Sequence, residues 1–222
     1  VSEVILNRFL GCAAATLLLL AVAGCSGWLP KPVAPPAVYG LSGPPDAPQP
    51  SVASATSGSD ARPTLIVSDP RAAAGFDSAR MVYVKSGDRR EYFARSEWVD
   101  TPARMLAPAI VSAVGASGAF RAVVPAPSSA AGDLRLDTQI IRLQQNFGST
   151  PSNVRFTLRV YLVAEGSRQV LAWQEFDASE AAPSEDAAGG VTAAGRAFNR
   201  VLAGLSTFCA QVARDWRSHE TQ

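Results

Sequence analysis

The sequence predicts an α+β fold: a mainly antiparallel sheet with a helix after the first hairpin and a long C-terminal helix packed on one face. Three observations lead there. Val154 to Leu162 alternates apolar and polar residues almost without exception, as a strand with one buried and one solvated face does. From Val191 to Trp216, apolar residues recur at three- and four-residue spacings, the signature of an amphipathic helix. Between Arg62 and Phe147, short β-branched runs are separated by Gly, Pro, Asp and Ser.

Thr64-Leu65-Ile66-Val67-Ser68 is short, apolar and β-branched, and reads as a buried strand ended by Asp69-Pro70. Met81 to Lys85 and Glu91 to Ala94 flank Ser86-Gly87-Asp88 and predict a hairpin turned at Gly87. After Trp98, Asp100 or Thr101 caps a helix that has Pro102 at its first position. Leu106, Ile110 and Val114 share one face of it. Pro108 removes an amide from its interior, so a kink or a restart is expected there. Gly115 and Gly118 end the helix, and Phe120 to Val124 begins the next strand. Leu134 to Phe147, Val154 to Leu162 and Gln169 to Phe176 form a meander, with Glu165-Gly166-Ser167-Arg168 as the second turn. Gly189-Gly190 reads as a loose lead into the final helix, whose apolar face carries Val191, Ala194, Phe198, Val201, Leu202, Leu205, Cys209, Val212 and Trp216.

Ahead of these elements the chain has a different character. Residues 26–63 are dense in Pro, Ala, Ser and Gly, which favours an extended, semi-rigid tether. Within it, Val38-Tyr39-Gly40-Leu41 is an apolar cluster able to form a first short strand. Further upstream, the apolar run Phe9 to Ala21 leads into Val22-Ala23-Gly24-Cys25. Small residues before a cysteine resemble the lipobox of bacterial lipoproteins. In these the leader is removed just before the cysteine, which carries lipid. That resemblance implies a signal peptide over 1–24 and a lipidated Cys25, behind which composition and periodicity predict a tether over 25–63, a folded domain over 64–217 and a polar tail over 218–222. An uncleaved anchor and a buried helix are the other readings of the run, which falls short of the about 20 apolar residues a spanning helix needs. Ser26, in the position after the cysteine, implies by the same resemblance sorting to the outer membrane. Two acyl chains on Cys25 would anchor the protein stably.

Composition narrows the function further. The net charge of +1 offers no basic surplus for nucleic acid. The cysteines are Cys12, Cys25 and Cys209, so a lipidated form has no pair for an intrachain disulfide, and Cys209 is expected as a buried structural thiol. His219 is the only histidine and falls in the polar tail, which excludes a Ser/His/Asp triad. No Cys/His metal spacing and no phosphate-cradling Gly loop occur in the sequence. Glu180, Glu185 and Asp186 sit in an Ala/Pro/Gly-rich stretch that reads as a solvated loop. No catalytic residue, cofactor or metal is expected.

Two clusters are candidates for binding. Arg155 and Arg159 project from the polar face of one strand, with Thr157 and Tyr161 beside them and Arg142 on the preceding strand. They could meet an acidic partner or a lipid headgroup; the alternative is an ordinary solvated strand face. Tyr92, Phe93 and Trp98 gather near the hairpin end, either as core or, through Tyr92 and Trp98, as a partner surface.

Several of these segments, in order, resemble the auxiliary lipoproteins of ABC-type transporters, including the paraquat-inducible C lipoprotein group. The resemblance rests on Val38-Tyr39-Gly40-Leu41 soon after the cysteine, then Ile66-Val67-Ser68-Asp69-Pro70 and Gly75-Phe76-Asp77 followed by Arg80-Met81-Val82-Tyr83. It continues through Tyr92-Phe93-Ala94-Arg95-Ser96-Glu97-Trp98, Ser117 to Val123 and the strand Leu134 to Phe147. The long insert between Leu41 and Thr64, and Pro108, depart from the pattern. The resemblance implies a non-enzymatic lipoprotein at the periplasmic face of the outer membrane, with the inner membrane as the other location. It would serve an intermembrane lipid transport system, with a mammalian-cell-entry-type periplasmic protein and an ABC transporter as partners and self-association as a further expectation. A structural or assembly lipoprotein of another envelope complex is the alternative.

Overall fold

In chain order the elements are β1 (Ala37–Tyr39), β2 (Thr64–Val67), β3 (Arg71–Ala72), β4 (Arg80–Val84), β5 (Arg90–Trp98), α1 (Pro102–Gly115), β6 (Ala122–Pro125), β7 (Leu134–Asn146), β8 (Asn153–Ala164), β9 (Val170–Ala181) and α2 (Ala187–Glu220). The computed structural model describes residues 35–41, 62–87 and 89–220. The apolar run, Cys25 and most of the Pro-rich segment lie outside the described residues. The class is α+β, an open mixed sheet with one short and one long helix.

β7 is the spine. Along one edge it pairs antiparallel with β8, from Leu134 opposite Ala164 to Asn146 opposite Asn153. Along the other edge it pairs in succession with β2, β3 and β4, all parallel. β6 extends the sheet beyond β2, β5 and then β1 extend it beyond β4, and β9 lies outside β8. Among the described residues five of the eight pairings are therefore parallel, although the two longest ladders are antiparallel. The parallel share escapes local reading because parallel partners are joined by long crossovers that leave no turn signature.

Alternation decides which face is covered. Leu136, Ile140, Leu143, Phe156, Leu158, Val160 and Leu162 point inward and are buried. α2 lies over them and over the inner side of β9. Phe198 meets Phe156 with ring centroids 5.9 Å apart, and Phe208 meets Phe176 at 6.1 Å. Each fully buried residue of this kind contributes about 1.5–3 kcal/mol over an exposed one. Ala193, Ala197 and Ala213 are buried as well and let the helix approach closely. Ser206 Oγ donates to the Ala113 carbonyl at 2.9 Å and joins α2 to α1.

Helix ends follow local chemistry. Thr101 caps α1, its hydroxyl accepting from the Arg104 amide at 3.4 Å, with Pro102 inside the first turn. Of the two expectations for Pro108, a kink or a restart, the restart does not occur: α1 runs as one helix through it. Pro108 and Arg104 are both exposed, so the Arg104 carbonyl that loses its amide partner can be hydrated. α2 begins earlier than its apolar pattern suggests. Asp186 accepts the Gly189 amide at 2.8 Å and caps the helix, which places Gly189 and Gly190 in its first turn and not ahead of it. Glycine is required there by contact: a Cβ on Gly190 would lie 2.1 Å from Gln145 Oε1, and one on Gly189 would lie 2.2 Å from the Ser184 carbonyl oxygen.

β9 also runs further than expected, to Ala181, so Glu180 belongs to a strand and not to a solvated loop. Its carboxylate lies 2.6 Å from Arg200 and 3.7 Å from Arg196 of α2. Glu185 accepts the Ser152 amide at 2.8 Å. The three carboxylates thus hold strand, turn and helix together.

Candidate functional site

The face of β7, β8 and β9 opposite α2 carries the polar residues of the alternating pattern. Arg155 and Arg159 both lie on it, each bound to a carboxylate of β9. Arg155 Nε donates to both carboxylate oxygens of Asp177, at 2.9 and 3.0 Å. Arg159 reaches Glu175 Oε2 through Nε at 3.1 Å and Nη2 at 2.9 Å. Thr157 Oγ1 donates to Asp177 at 2.5 Å. The Arg155 guanidinium, helped by Thr157, holds the Asp177 carboxyl below its ordinary range, and the same bond raises Arg155. Beyond Arg159, Tyr161 stacks on Trp173 with centroids 6.4 Å apart, and Trp173 is 61% exposed.

A bulge in β7 shapes one end of this face. Pairing steps from Ile140 opposite Leu158 to Arg142 opposite Thr157, so Ile141 is an extra residue. Before the bulge even-numbered residues point inward; after it Leu143 and Gln145 do, and Arg142 turns to the outer face. There it lines a cavity of about 320 Å³ with Arg90, Arg155, Gln144 and Asn146, closed at one side by Val84 and Gly87 of the β4–β5 hairpin. Gly87 has φ +60°, the left-handed conformation this turn needs. At the opposite end of the face, Arg135 bridges Asp137 at 3.2 Å and Glu165 at 3.1 Å, which balances charge locally.

The aromatic candidates part ways. Trp98 is 5% exposed and belongs to the core. Phe93 joins Tyr83 and Phe147 in an aromatic cluster with centroids 4.8 to 6.3 Å apart. Tyr92 is partly buried, with the Arg80 guanidinium 3.6 Å above its ring. Sequence reasoning passed over Arg90, Glu175 and Asp177. The charge alternation of β9 was available for the two acids, but their pairing with β8 depends on register. For Arg90 no local signal existed.

Among the described residues no three of His, Cys, Asp and Glu gather as metal ligands. No helix of the described residues is long and apolar enough to cross a membrane. Cys209 is fully buried, and desolvation pushes its thiol up to about 12.

Comparison with known proteins adds to this geometry. The sequence model of a family described as the ABC-type transport auxiliary lipoprotein component matches residues 39–205. Among solved structures, the chain is similar to a Xanthomonas campestris protein of the DUF330 family, at 21% identity and a TM-score of 0.66, covering 81% of this chain and 98% of that one. A crystal structure of an uncharacterized protein matches at 13% identity and a TM-score of 0.59, covering 78% and 97% respectively. Likeness at these identities shows the fold alone. No curated protein matches the chain.

Proposed function

Because the chain belongs to the ABC-type transport auxiliary lipoprotein family, which implies a membrane-associated place in the cell envelope, we propose that it is a non-enzymatic accessory lipoprotein of an intermembrane lipid transport system. In this reading it is lipidated at Cys25 and held at the periplasmic face of the outer membrane, where it docks a mammalian-cell-entry-type protein working with an ABC transporter. The family match carries the proposal: it runs from Tyr39, the last residue of β1, to Leu205 of α2 and so takes in all of β2 to β9. The small residues before Cys25, and Ser26 after it, support the anchor.

The arrangement follows from the proposed processing, with a leader over 1–24, a tether from Cys25 and the folded unit behind it. β1 pairs in parallel with β5, Tyr39 opposite Trp98, so the Pro-rich stretch is pinned to the sheet before it ends.

Two measurements test this. Labelled palmitate should enter the wild-type protein in cells and be absent from Cys25→Ala; equal labelling of both would overturn the anchor. Crosslinking in intact cells followed by purification should recover a mammalian-cell-entry-type protein. Repeated recovery of an unrelated envelope complex in its place would overturn the transport role.

A further inference from the structure

The cavity between the β4–β5 turn and the outer face of β7 and β8 brings three guanidiniums together, those of Arg90, Arg142 and Arg155. Their hydrogen bonding leaves most of their donors free. Arg155 spends only Nε on Asp177. Arg90 gives one N–H to the Ala74 carbonyl at 3.3 Å and lies 4.9 Å above the Phe76 ring, which braces it. Arg142 has no hydrogen bond or ion pair among the described residues, and its charge acts on Asp177. Of the three, only Arg155 has a carboxylate ion pair among the described residues; Arg90 and Arg142 have none. Arg159, by contrast, is satisfied by Glu175 through two nitrogens.

We propose that this cavity binds a phosphate group, carried either by a glycerophospholipid headgroup or by free phosphate. A tetrahedral phosphate offers several oxygens at once, and guanidinium forks match them bidentately. The volume of about 320 Å³ is at the lower end of small-molecule sites and exceeds what one carboxylate side chain would fill. Gln144 and Asn146 make the wall polar, which disfavours an apolar ligand. The β7 bulge is what delivers Arg142; regular alternation would have turned it toward α2. This assignment goes beyond the transport role and does not depend on it.

The test uses the full-length protein in neutral detergent, with no transport partner present, so its failure leaves the transport role standing. Calorimetry follows titration with inorganic phosphate and, separately, with a short-chain phosphatidylglycerol. Wild-type protein should bind at least one. Arg142→Gln should weaken binding about tenfold, the scale of one charge-assisted interaction. Arg168→Gln, an equal charge loss at the exposed β8–β9 turn, should leave it within about twofold. Should Arg142→Gln fail to fold, Arg90→Gln supplies the same comparison from an exposed side chain. Binding of phosphatidylglycerol that inorganic phosphate displaces identifies a headgroup site; binding of inorganic phosphate alone identifies free phosphate as the source. Absence of binding to the wild type, or equal weakening by the pocket and control variants, overturns the proposal.

Discussion

Gly190 and Gln145 occupy space that only one of them can fill. The first turn of α2 presses Gly190 so close to β7 that a Cβ there would sit 2.1 Å from Gln145 Oε1 and 2.9 Å from its Cδ. Gln145 is buried and donates to Ser152 Oγ at 3.0 Å, so it has little room to withdraw. Gly190→Ala should therefore destabilise the protein by about 1–3 kcal/mol, as overpacking does. Gly195→Ala, in the same helix but with open space before its Cβ, should stabilise by up to about 1 kcal/mol through helix propensity. Urea unfolding of the two variants checks the opposite signs.

Arg200 is the closest cation to Glu180, whose side chain is only 15% exposed. Removing it leaves a mostly covered carboxylate with Arg196 at 3.7 Å as its remaining ionic partner. Arg200→Ala should cost about 1–2 kcal/mol, more than an exposed pair of the same kind. Arg104→Ala, which breaks the exposed pair with Asp100, should cost less, and denaturant midpoints measure the difference.

Cys209 gives the protein an alkaline limit. Burial raises its thiol from 9.0 to about 12 in the folded state. The folded form holds the proton more tightly, so this contribution is fully present below the unfolded value and is lost as pH rises from there toward about 12. The loss is about 1.4 kcal/mol per pH unit within that window. Unfolding free energies should fall more steeply with pH above about 9 in the wild type than in Cys209→Ala. Parallel slopes would contradict the burial argument.

Asp177 sets the corresponding acid behaviour on the outer face. The Arg155 guanidinium lowers its folded value, so its contribution is present above the ordinary carboxylate value of 3.8 and lost as pH falls through the lowered folded one. Because both side chains are more than a third exposed, the effect stays below about 1 kcal/mol. Asp177→Asn should flatten the acid limb of stability while leaving the fold intact. Carboxyl chemical shifts followed with pH would place the Asp177 midpoint below that of an unpaired aspartate.

Much of the architecture was legible because it is written locally. Val154 to Leu162 alternates, so β8 and its buried face could be read directly. Val191 to Trp216 repeats at helical spacing, so the cover for that face could be read too. Arg155 and Arg159 were placed on the polar face by the same alternation. Their carboxylate partners were not, since pairing Arg155 with Asp177 requires knowing the β8–β9 register. The β7 bulge left only a faint trace, the Ile140-Ile141 doublet at which the apolar phase slips by one residue.

By itself the sequence determined the α+β class, the hairpin at Gly87, a helix cap at Asp100 or Thr101 and the amphipathic face of α2. These depend on period, on φ preference and on short-range hydrogen bonds. Tertiary structure alone decided that β2, β3 and β4 share one edge of β7, that Gly190 must be glycine, that Glu180 meets Arg200, and that Arg90, Arg142 and Arg155 surround one cavity. Each of these joins residues distant along the chain. Their meeting is set by strand register and by the close approach of helix to sheet, and no local pattern encodes either.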